Sequence, residues 1–234
     1  NINGDSFKDD PILTGLLLKR KRIIHKATNK RLAFKKIIED RLKENGNLKY
    51  TLVYVPEGNE PEQETYPYAE RDQIHAVDSD HLIDQYTRVI SETNDRTTVR
   101  EFTSESKDRD LMLKQFASGE LEVLTSMKCL DEGIDVPRSE FAIFCSSTGN
   151  PRQFIQRRGR ILRKHPDKHM AVIHDLVVAP VINGSNAAIN VERNLLANEL
   201  KRVQNFALLS DNSSDSVIEL EDVIRYYGLS IFDI

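Results

Sequence analysis

The chain has no tryptophan and only two cysteines, Cys129 and Cys145. Two thiols cannot form the disulfide framework of a small secreted domain. Both sit near apolar runs, so the expectation is reduced, buried thiols in a cytoplasmic protein. No apolar run approaches the ~20 residues of a membrane span, and no secretory signal is visible. Two further absences bear on chemistry. No Gly-x-x-x-x-Gly-Lys-Ser/Thr stretch occurs, so there is no loop to cradle phosphates. No separate strand ends in an Asp-Glu pair that would offer a Mg²⁺ site. A self-contained nucleotide-binding α/β enzyme is therefore not expected. His165 and His169 have metal-ligand spacing, but Pro166 and Asp167 between them favour a turn, so no metal site is expected. The chain opens on Asn1 rather than Met, as an excised fragment or the product of tag cleavage would.

What is present is enough for a substantial core. The chain has 234 residues, 39% hydrophobic, with a net charge of −4. Any anion-binding role must come from local asymmetry. That asymmetry is marked. Residues 19–43 hold eleven Lys/Arg against two acids, and residues 152–169 hold seven against one. Residues 57–80 and the tail from Asp211 are acidic. Each basic run reads either as a solvated helix face or as a device for handling phosphate.

Hydrophobic periodicity predicts a helix over 12–44, stopped by Asn45-Gly46-Asn47. The run "KYTLVYVP" predicts a buried strand, 57–73 a loop or insertion, and "QIHAVDS" a short strand. A helix is expected over 81–93, a strand at "TTVREFTSE", and a helix over 106–120 with Ser106 as N-cap and Gly119 closing it. Strands follow at 121–124 and at "EFAIFCSS". A basic helix runs from Pro151 to about Arg163, and "HMAVIHDLVV" predicts a strand of buried type. Asn183 to Asn186 reads as a linker before helices at 191–209 and 217–227. Alternating strands and helices, with apolar strands lacking clean alternation, imply a mainly parallel α/β sheet covered on both faces. The domain division expected is 1–44, a helical connector; 45–180, the sheet domain; and 181–234, a helical extension.

In open α/β sheets ligands sit beyond the carboxyl ends of the strands. Two segments should lie there, "TSMKCLDEGIDVP" (125–137) and 150–163. In the second, Gln156, Arg160 and Arg163 are spaced i, i+4, i+7 and share a helix face, with Arg157 and Arg158 pointing elsewhere. Guanidinium groups suit phosphate oxygens. Gly159 would let another backbone approach, at about 1 kcal/mol of helix propensity. In the first segment, Thr125 and Ser126 bring hydroxyls and amides to a strand end, Gly133 a turn, and Asp135 a carboxylate able to accept from a ribose hydroxyl.

The stretch "LTSMKCLDEGIDVPRSEFAIFCSSTGNPRQFIQRRGRILR" resembles motifs V and VI of superfamily 2 helicases in order and spacing. "TLVYVP" resembles motif IV, and "FTSESKDRDLMLKQFASGELEVL" the segment between IV and V. The resemblance covers roughly residues 20–180. Gln156 and the "ILR" ending are similar to DNA-acting members, the restriction-enzyme translocation subunits and the repair/transcription helicases. RNA-acting DEAD-box proteins more often carry His and "TGR" here.

This resemblance implies a second RecA-like domain of an ATP-dependent helicase or translocase. Arg160 and Arg163 would be its arginine fingers and Gln156 would contact the γ-phosphate region. Gly133 and Asp135 would contact the nucleotide. Thr125, with Ser126, Lys128 and Ser104, would hold phosphates of a nucleic acid, DNA in preference to RNA. ATP and Mg²⁺ would be bound mainly by an N-terminal RecA-like domain of the same full-length protein, and this chain alone would be inactive. The competing expectation is a non-catalytic RecA-like docking or nucleic-acid-clamping module.

Overall fold

The structure, a computed structural model, describes residues 24–25, 27, 29–56, 82–127, 136–145, 151–182 and 189–231. The chain divides into two compact units, residues 31–176 and residues 177–234 together with 1–30.

In the first unit the elements run α1 (Asn29–Asn45), β1 (Thr51–Tyr54), α2 (Leu82–Thr93), β2 (Val99–Phe102), α3 (Arg109–Ser118), β3 (Val123–Ser126), β4 (Phe141–Phe144), α4 (Pro151–Ile161) and β5 (Val172–Asp175). Among the described residues these strands form one five-stranded sheet in the order β2-β3-β1-β4-β5. Every neighbouring pair is parallel. Parallel neighbours need crossover connections, so helices must cover the faces. Successive residues of a strand point to opposite faces, and β1, β3 and β4 are buried at every position. On one face Phe34 and Ile38 of α1 join Leu82, Ile83, Tyr86 and Ile90 of α2 against Val53, Val123 and Ile143. The Phe34 ring meets Tyr86 edge-on at 4.9 Å. On the other face Arg109 of α3 lies over Phe102, and Arg157 of α4 lies over Tyr54. The fold is the expected RecA-like α/β sheet with helices on both faces.

Local differences have local causes. Ser106 does not cap α3. Its hydroxyl instead donates to Glu101 O at 3.0 Å and accepts from Thr103 N at 2.9 Å, so it braces the β2–α3 loop. The helix starts three residues later, after Asp108 in the left-handed region (φ 57). Its far end is closed by Gly119, as expected. At φ 78 a Cβ there would stand 3.0 Å from the Tyr50 hydroxyl. Strand β5 is half-buried rather than buried, because it is an edge strand pairing with β4 alone. Strand β3 continues through Thr125 and Ser126. The segments expected as a loop at 57–73, a strand at 73–79 and a linker at 183–186 lie outside the described residues.

The second unit contains α5 (Ile189–Ala207), α6 (Asp215–Ile218) and α7 (Glu221–Tyr226). The single helix expected over 217–227 is two short ones, interrupted between Ile218 and Glu221. Leu196, Leu200, Val203, Tyr227 and Ile231 form its core. Arg202 and Glu199 make a buried pair at 3.0 Å, and Glu199 also accepts from Val178 N at 3.3 Å. Among the described residues no helix is long and apolar enough to cross a membrane.

Candidate functional site

The strand ends of the first unit are flush. Tyr54 is in register with Ser126 and with Phe144, Phe102 with Ser126, and Phe144 with Asp175. One row at the carboxyl rim therefore reads Phe102, Ser126, Tyr54, Phe144, Asp175. This is the edge where open parallel sheets receive ligands.

Thr125 and Ser126 lie at this rim but are fully buried. The Thr125 hydroxyl shares a hydrogen bond with Thr87 of α2 at 2.9 Å. The Ser126 hydroxyl has no hydrogen-bond partner among the described residues, and its carbonyl accepts from Val55 N at 2.8 Å. Ser104 follows β2 by two residues and is exposed. The loop carrying it is held by the Thr103–Ser106 hydrogen bonds, so its position is set by short side-chain bonds to backbone. Lys128, Gly133 and Asp135 lie outside the described residues.

Helix α4 carries the remaining candidates. Gln156 is exposed within it, and Arg163 is exposed just beyond its end. Arg160 is 8% exposed, so the three residues expected to share a helix face do not share an environment. The buried face is instead the stripe Phe154, Arg157, Arg160 and Ile161. Gly159 stands in open space, with no atom within 4 Å of a Cβ built there. The close backbone approach expected at Gly159 is absent among the described residues, because the position faces away from the sheet.

Arg157, expected to point elsewhere, instead ties α4 to the rim. It is 3% exposed. Its Nη2 donates to Met127 O, one residue past β3, at 3.1 Å. Its guanidinium lies 5.0 Å from the Tyr54 ring centroid, and that ring stacks on Phe144 at 4.8 Å. A buried guanidinium is costly unless its N–H groups and charge are matched, and here a carbonyl and an aromatic face do so. The signal was available in the sequence, since Phe154, Arg157 and Ile161 recur at i, i+3, i+7.

Lys168 was also missed. Its ammonium donates to Arg163 O at 2.9 Å and to Ile161 O. These carbonyls belong to the end of α4, where intrahelical donors run out. Burial lowers the Lys168 pKa from its ordinary 10.5, Glu140 raises it and Arg138 lowers it. His165 and Asp167 form a turn, with Asp167 N donating to His165 Nδ1 at 3.2 Å and Lys168 N to His165 O at 3.0 Å. No cluster of three or more His, Cys, Asp or Glu suited to a metal occurs among the described residues.

The five-stranded parallel sheet with helices on both faces has the RecA-like α/β architecture. Residues 74–165 match the Helicase conserved C-terminal domain. This segment of the chain is thus similar to the C-terminal domain of helicases. The chain is 40% identical over 72 residues to the DNA 3'-5' translocase XPB2 of Sulfurisphaera tokodaii, covering 31% of this chain and 16% of that protein. It is 29% identical over 107 residues to Dicer-like protein 2 of Pyricularia oryzae, covering 46% of this chain and 7% of that protein. The fold is similar to a fragment of a putative HsdR subunit of a type I restriction enzyme from Vibrio vulnificus YJ016. That match has a TM-score of 0.50 at 20% identity and covers 74% of this chain and 30% of the other. The chain thus spans a small part of the length of the curated relatives it matches.

Proposed function

We propose that this chain is the second motor domain of a larger ATP-dependent helicase or translocase acting on DNA. The observation that carries this is the match over 74–165 together with its placement. The matched segment supplies three of the five strands, β2, β3 and β4, with their share of the carboxyl rim, and α4, with Gln156 and Arg160, follows β4, the neighbour of the central strand β1. The names of the XPB2 translocase and of the restriction-enzyme subunit favour DNA over RNA. The chain's division into a connector (1–44), a motor domain (45–180) and a helical extension (181–234) belongs to the same reading.

The chemistry is a division of labour. ATP and Mg²⁺ are bound mainly by an N-terminal RecA-like domain of the full-length protein. Gly133 and Asp135 meet the nucleotide from this side. Gln156 and Arg163 reach the γ-phosphate, and Arg160 becomes a second finger by turning its guanidinium outward when the domains close. Thr125, Ser126, Lys128 and Ser104 hold phosphates of the strand. Phosphate contacts carry no sequence information, so binding is sequence-tolerant. Closing on ATP and opening after hydrolysis then moves the grip along the strand.

Arg163→Ala in the longer protein is expected to cut DNA-stimulated ATP turnover by about 10³-fold or more while leaving DNA affinity within a few-fold. Undiminished turnover would remove the finger assignment. The burial of Arg160 favours a second reading, a non-catalytic clamp. A longer protein that binds DNA but turns over no ATP, with or without Arg163, would establish that reading instead.

A further inference from the structure

We infer that Arg157 is a positioning residue, locking the roll of α4 to the carboxyl ends of β1 and β3 so that phosphate-side and nucleotide-side groups move together. The inference rests on the proposed motor function for its consequence, but on geometry alone for its placement.

A helix lying on a sheet can roll about its axis, and apolar contacts resist that roll weakly because they are not directional. Phe154 and Ile161 provide such contacts on α4. Arg157 adds direction. Its guanidinium is planar, and its N–H groups lie in that plane. The bond to Met127 O fixes one edge of the plane, and the Tyr54 ring faces the guanidinium carbon. Tyr54 cannot drift, since it stacks on Phe144 with an interplanar angle of 9° and both rings are buried. Two anchors on two adjacent strands therefore determine where the Arg157 stem leaves the sheet. The positions beside it in sequence, Gln156 and Arg158, inherit their directions from that stem. So does Arg160, one turn further along the buried face.

Met127 is the residue after Thr125 and Ser126. The same carbonyl that receives Arg157 thus directly follows the strand carrying two proposed phosphate-gripping residues. Movement of that strand end is passed to α4 through the charged hydrogen bond of 3.1 Å from Arg157. Lysine cannot substitute, because a compact ammonium reaches the carbonyl or the ring but cannot present a plane to both.

The test compares Arg157→Met and Arg157→Lys in two settings. In the longer protein, kcat and KM for ATP are measured with DNA at a temperature where circular dichroism shows the native fold, and rates are expressed per folded molecule. Both variants should lose about 100-fold in kcat, the scale of a small misplacement of reacting groups, with KM changed by less than about 3-fold. A merely structural arginine would lower the melting temperature and leave kcat of the folded molecules intact, and that result overturns the inference. In the present chain, amide exchange should quicken along α4 in both variants while β1 and β4 stay protected. If Arg157→Met does not fold, Arg157→Lys carries both measurements. If the unaltered longer protein turns over no ATP, the motor function fails, and exchange in the chain decides the positioning role by itself. Unchanged α4 protection then refutes it.

Discussion

His174 shows how a single side chain makes stability depend on pH. It sits on the edge strand β5 with its ring tilted over Phe141 at 5.1 Å, and Arg41 lies over the same Phe141 ring at 4.7 Å. Burial lowers its pKa below the ordinary 6.5. Glu44 raises it, Arg41 lowers it and Asp40 raises it, in that order of size. As pH falls past the ordinary value the unfolded chain takes up this proton before the folded one. Stability is therefore lost from about pH 6.5 downward. Denaturant midpoints measured from pH 7.5 to pH 5 should fall, and His174→Gln should flatten that slope. Equal slopes in the two proteins would show that His174 does not contribute. Arg157 illustrates what charge alone conceals in a sequence. Reading "QRRGRILR" for phosphate-binding geometry selects the residues in line with Gln156. The buried stripe through Phe154 and Ile161 selects Arg157. Burial depends on Tyr54 and Met127, 103 and 30 positions away in the sequence, which local spacing does not reveal.

At the scale of elements, α1 and α4 make separate predictions. Phe34 of α1 is fully buried against Tyr86, so Phe34→Ala should cost about 3–5 kcal/mol, read as a shift in the denaturant midpoint. A cost near zero would mean that α1 does not belong to this core. Gly159 lies inside α4 with open space around it, so Gly159→Ala should stabilise the chain by up to about 1 kcal/mol. A loss of stability would show that a segment outside the described residues fills that space. Helices and strands were legible because their signals are periodic and local, as in Leu82, Ile83, Tyr86 and Ile90 of α2. Their ends were less so. Ser106 has the right chemistry for an N-cap, but Thr103 and Glu101 compete for its hydroxyl. The half-burial of β5 follows from its edge position in the sheet, which only the strand order reveals.

The whole molecule is acidic, with a net charge of −4, so it cannot hold a polyanion by bulk attraction. Binding to DNA by the longer protein should weaken with salt, with a log–log slope of about −0.9 per phosphate neutralised. Measuring that slope counts the phosphates gripped, and a slope near zero would exclude a phosphate-based grip. The two units have separate cores, and the buried Glu199–Arg202 pair belongs to the second. Arg202→Ala strands a buried carboxylate and should destabilise that unit by about 3–5 kcal/mol, seen as faster amide exchange in α5. The flush ending of the five strands has a mechanical consequence. Because Phe102, Ser126, Tyr54, Phe144 and Asp175 lie in one row across continuous hydrogen-bonded ladders, no strand tip can advance without shearing its neighbours. A displacement at the β2 end is therefore shared along the hydrogen-bonded ladders with the strands beneath α4.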